Sequence, residues 1–73
     1  MLTCPRCDGQ GAIQKLVVRQ SGVALFACDE CDATWFTRDA IGIVPWVDLS
    51  TYMESIGLQA NQNDLETVGY VES

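Results

Sequence analysis

Cys4-Pro5-Arg6-Cys7 and Cys28-Asp29-Glu30-Cys31, with twenty residues between them, decide how this chain is read. These are its only four cysteines, and it has no histidine. Two Cys-x-x-Cys pairs on either side of a strand-like stretch suit one tetrahedral metal site with four thiolate ligands. Sulfurs at i and i+3 of a tight turn can aim at a single ion, so each turn supplies half the tetrahedron. Cys4, Cys7, Cys28 and Cys31 are therefore the expected ligands, and zinc is the expected ion. Iron stays open on spacing alone, because a tetrahedral sulfur site suits both metals.

Disulfides and redox thiols fit less well. A bridge inside one Cys-x-x-Cys would close a very short loop. No secretory leader follows Met1, so the chain is expected to be cytoplasmic, where disulfides are rare. Catalytic Cys-x-x-Cys motifs belong to a βαβ setting that is missing here. Four cysteines would also close the metal's shell, leaving no position for a reactive water. The metal is expected to be structural and the protein not an enzyme.

At 73 residues the chain is read as a single domain (1–73). A core of this size supplies only about 3–5 kcal/mol, whereas a structural zinc ion contributes on the order of 10–16 kcal/mol. The first half should therefore lose its fold without the metal.

The segments outside the turns read as strands and one helix. Ile13 to Arg19 is rich in β-formers, Gln20-Ser21-Gly22 is a turn, and Val23 to Ala27 is the return strand. Thr34 to Thr37 is expected as a third strand, with Trp35 and Phe36 on opposite faces. Leu49, Tyr52, Met53 and Ile56 fall at i, i+3, i+4 and i+7, the stripe of a short helix. Asp48 is the expected N-cap and Gly57 the expected stop. Pro45 and Trp46 form its entry loop, Asn61 to Asp64 a turn, and Leu65 to Val71 a last element of undetermined type. The expectation is a small α+β, metal-stapled domain: a β-hairpin with a third strand over residues 1–38, then an acidic, helical extension over 39–73. The helix should fold back over Trp35 or Phe36.

Charge is divided unevenly. Arg6, Lys15, Arg19 and Arg38 balance four acids in residues 1–38, while residues 39–73 hold six acids and no base, so the formal charge of −6 lies in the second half. A zinc ion on four thiolates would take the total to about −8. This argues against nucleic acid, whose recognition needs bases to neutralise phosphates. No apolar run approaches a membrane span.

The paired Cys-x-x-Cys turns around a hairpin resemble the zinc-ribbon superfamily over residues 1 to about 37. The resemblance implies a metal-stapled β fold and leaves function open, since ribbons serve in transcription, translation and adaptor roles. The run Cys4 to Gly11 is also similar to the Cys-x-x-Cys-x-Gly-x-Gly unit of the DnaJ-type chaperone zinc domain, whereas Cys28 to Trp35 lacks its glycines. The chain as a whole looks like small standalone bacterial ribbon proteins, and its size and acidity suit an immunity protein that blocks a basic nuclease toxin. The expected function is binding of a basic protein partner through Asp39, Asp48, Glu54, Asp64 and Glu66, with Trp46 and Tyr52 as aromatic anchors. The alternative is a transcription- or translation-associated adaptor that touches nucleic acid through Arg6, Lys15, Arg19 and Arg38.

Overall fold

The β-rich stretch that follows the first Cys-x-x-Cys turn forms strand β1 (Ile13–Val18), which returns through a tight turn as β2 (Ala24–Cys28). The computed structural model describes residues 1–43 and 45–72. Leu16 pairs with Leu25 across this hairpin, and Val18 donates its amide to the Val23 carbonyl at 2.8 Å. Next come β3 (Ala33–Trp35), a 3-10 turn (Arg38–Ala40), β4 (Val47–Asp48), helix α1 (Leu49–Ser55) and β5 (Leu65–Tyr70). All pairings are antiparallel, in the order β4-β3-β2-β1-β5. Among the described residues the molecule is a small α+β fold with a five-stranded sheet, one short helix and a cluster of cysteines.

Side chains alternate along a strand, so the sheet has two faces to cover. On one face Leu16, Val18, Leu25, Ala27 and Leu65 pack against Leu49 and Met53 of α1. Met53 is fully buried there. On the other, Ile13 and Cys28, paired across the hairpin, join Cys4, Ala33, Trp35 and Val71 in a second cluster. The metal-ligand candidates thus belong to one of the two cores.

The third strand and the helix follow the sequence expectation with small shifts. Trp35 is 2% exposed and Phe36 is 45% exposed, as opposite faces require. The helix touches Phe36 without covering it: the Phe36 ring meets Tyr52 edge-on with centroids 5.0 Å apart. Ile56 departs from the expected stripe: it is the C-cap, 42% exposed, because the helix ends one residue earlier. Gly57 then turns the chain at φ +80°, and the Leu58 amide reaches the Met53 carbonyl at 2.9 Å.

Three features correct the expectation. The sheet has five strands, because residues of the second half add one at each edge: β4 beside β3, and β5 beside β1. The segment of undetermined type is β5, held by pairs such as Val18 with Leu65 and Leu16 with Thr67. Asp48 occupies the N-cap position, but its carboxylate makes no capping bond. It lies 3.4 Å from the Arg6 guanidinium, while the free amide of Leu49 is satisfied by the Asp32 carbonyl at 3.0 Å. No helix among the described residues is long and apolar enough to cross a membrane.

Candidate metal centre

Each half of the centre is a turn that forces two sulfurs inward. In the first turn, the Gly9 amide donates to the Cys4 carbonyl at 3.0 Å, and Asp8 takes a left-handed backbone conformation at φ 58°. In the second, Asp32 does the same at φ 61°. Asp and Asn visit this region more readily than other side chains because their short polar groups can bond locally. The hairpin fixes one turn against the other, since Cys28 ends β2 and the Thr3–Ala12 bridge leads into β1.

The four Sγ atoms lie within 4.8 Å of one another. Cys4 Sγ is 3.6 Å from Cys31 Sγ, and Cys7 Sγ is 3.6 Å from Cys28 Sγ. A tetrahedron built on zinc–sulfur bonds of about 2.3 Å has edges of about 3.8 Å. The cluster therefore has the size and donor set of a four-sulfur metal site. Backbone amides face the sulfurs: Gly11 donates to Cys7 Sγ at 3.3 Å, Glu30 to Cys28 Sγ at 3.3 Å, and Cys31 to the same atom at 3.4 Å. Such bonds orient ligands and stabilise thiolate charge.

The electrostatics point the same way. Burial pushes the Cys28 thiol up to about 12 and also raises that of Cys4. At Cys7 burial is outweighed by the Gly11 amide and the neighbouring sulfurs, so its value falls below the ordinary 9.0. Ionising all four would crowd negative charge into a half-buried space, and only a cation there can balance it. A divalent metal would supply that charge.

Two residues around the sulfurs do more than the sequence indicated. Gly11 leaves no room for a side chain, since a Cβ there would lie 2.5 Å from Cys28 Sγ and 2.8 Å from Asp29 Oδ1. Asp29 accepts from the Ala12 amide and from the Tyr70 hydroxyl, both at 3.0 Å. It ties the second turn to β1 and to the end of β5. The hydrogen bond to Asp29, and its charge, raise the Tyr70 pKa above the ordinary 10.0. Glycine at the second position after a Cys-x-Gly is a recognisable sequence signal for the first role. The second depends on Tyr70, 41 residues away, and leaves no local trace.

The expected partner-binding residues are spread over several elements. Asp48 and Glu66 lie on opposite edge strands and already meet arginines, Asp48 with Arg6 at 3.4 Å and Glu66 with Arg19 at 3.6 Å. Trp46, 44% exposed, lies beneath the Arg6 guanidinium at 4.7 Å. Asp64 accepts from the Gln59 amide at 2.9 Å and closes its loop. Tyr52 packs on Phe36. Asp39, on the 3-10 turn, and Glu54, on α1, are exposed, and neither carboxylate has a bond among the described residues.

Of the four bases, three hold the second half in place. Besides Asp48, Arg6 reaches the Cys31 carbonyl at 3.1 Å, Arg19 reaches the Gln62 carbonyl at 3.1 Å, and Arg38 reaches the Glu72 carbonyl at 2.6 Å. No protein-family model matches this chain, and neither a curated protein nor a solved structure matches it.

Proposed function

We propose that Cys4, Cys7, Cys28 and Cys31 hold a structural zinc ion in a ribbon-like domain, and that the protein works by binding rather than catalysis. The observation that carries this reading is the closed sulfur cluster. All four tetrahedral positions have a protein ligand, which leaves none for a substrate or an activated water. The ion would bind the two turns together and neutralise half of the thiolate charge.

The partner in this reading is a basic protein, most concretely a nuclease toxin that the chain neutralises as an immunity protein. Its formal charge of −6 favours encounter with a basic surface. The engagement of Arg6, Arg19 and Arg38 inside the molecule supports a protein partner over nucleic acid, because only Lys15 has no such contact among the described residues.

Asp39 and Glu54 carry no internal bond, so reversing both to lysine tests the surface without dismantling the fold. Zinc-loaded protein used as bait in lysate of its own cells should retain one basic protein at low salt. That protein should be lost at higher salt and from the D39K/E54K bait. Retention indifferent to both, or recovery of polymerase, ribosome or nucleic acid instead, would overturn the proposal.

A further inference from the structure

On the helix-covered side of the sheet, next to the second Cys-x-x-Cys turn, lies a cleft of about 220 Å³. Leu16, Leu49 and Leu65 form its apolar part. Asp29 and Asp32 stand at the metal end, and no lysine or arginine lines it among the described residues. The Asp32 carboxylate has no hydrogen bond or ion pair among the described residues, and the side-chain amides of Gln14 and Gln62, which also line the cleft, have none. Drug-sized ligands occupy pockets of about 300 Å³ and more, so this volume suits a single side chain.

Apolar side chains beside two carboxylates match an aliphatic stem that carries a cation. Lysine and arginine are built this way, with methylene groups that pack on apolar surface and a head that seeks anionic or carbonyl oxygen. Asp29 accepts from the Ala12 amide and the Tyr70 hydroxyl, which fixes its carboxylate beside the cleft, while the Asp32 carboxylate stays open to a ligand. We propose that this cleft is the receptor for one lysine or arginine side chain of a basic protein partner. The inference rests on the partner reading above and names the spot at which such a partner would be anchored.

The probes are acetyl-Ala-Arg-Ala-amide, its lysine counterpart and an uncharged norleucine counterpart, each titrated into ¹⁵N-labelled zinc-loaded protein and followed by amide shifts. The arginine or lysine peptide should give saturable shifts centred on Gln14, Leu16 and Gln62, and norleucine should not. Asp32→Asn keeps the left-handed backbone, which asparagine tolerates, and should weaken binding roughly three- to fivefold, the upper range for a solvent-facing ion pair. Gln14→Lys places a cation of the protein's own beside the cleft and should abolish those shifts. Shifts shared with norleucine, or shifts elsewhere that ignore both variants, would overturn the cleft assignment. In the second case salt-dependent capture, compared between the unsubstituted and the D39K/E54K bait, would still judge the partner reading separately.

Discussion

Replacing Gly11 by alanine tests the geometry of the metal centre at its tightest point. The added Cβ would lie 2.5 Å from Cys28 Sγ, 2.8 Å from Asp29 Oδ1 and 2.9 Å from Glu30 Cβ. Ordinary non-bonded separations are about 3.5–4.0 Å, so the second turn must retreat by on the order of 1 Å. Such a retreat is a large fraction of a zinc–sulfur bond and lifts Cys28 off the tetrahedron. It also disturbs the Gly11 amide bond to Cys7 Sγ and the Asp29 bond to Ala12. Overpacking of a close-packed site costs about 1–3 kcal/mol, which is roughly a 5- to 150-fold loss of metal affinity. Competition against a chromophoric chelator reads that loss directly. Cobalt(II) in place of zinc reads the geometry, because the intensity of its visible bands depends on tetrahedral coordination. A G11A protein with unchanged metal affinity and an unchanged cobalt spectrum would refute the argument that Gly11 exists to admit Cys28.

Two other perturbations probe the helix-side core and the charge on the sulfurs. Met53→Ala removes the fully buried side chain that joins α1 to the sheet and should destabilise the protein by about 2–5 kcal/mol in urea unfolding, with zinc stoichiometry unchanged. Metal affinity should fall as pH falls. With Cys4 and Cys28 raised above the ordinary thiol value of 9.0, these ligands are protonated at neutral pH without a metal and must each release a proton to bind one. Isothermal titration in buffers of different ionisation enthalpy should show that release, and an affinity independent of pH would contradict it.

The parts of the fold written in short-range pattern were legible in the sequence. The i, i+3 cysteines gave the sulfur cluster, the β-rich runs around Gln20-Ser21-Gly22 gave the hairpin, and Leu49, Tyr52 and Met53 gave the face of α1. What escaped was set by contacts distant in sequence. Two residues, Val47 and Asp48, are too few to show a strand period, and they become β4 only because β3 offers a partner. Leu65 to Tyr70 contains Gly69, a poor strand residue, and becomes β5 by pairing with β1 across a register irregularity at Lys15/Leu16.

The candidate site divides along the same line. Ligand spacing identified the cysteines, since a metal site demands residues of one type at fixed intervals. The acids carry no such constraint. Asp48 looked like a cap because it precedes an apolar stripe, and only the approach of Arg6 shows why its carboxylate turns elsewhere. Arg6, Arg19 and Arg38 are, with Lys15, the candidate nucleic-acid contacts of the alternative reading, yet each arginine bonds to the chain's second half. Composition fixes net charge, but which charges remain unengaged at the surface depends on the fold.

The central claim is that one zinc ion on four cysteines holds this fold together. Elemental analysis of the purified protein, paired with amide NMR spectra before and after a strong chelator, tests it most directly. One zinc per chain is expected, with dispersed amide signals that collapse on chelation and return when zinc is restored. A metal-free protein whose dispersed spectrum is indifferent to chelator and to added zinc would contradict the claim.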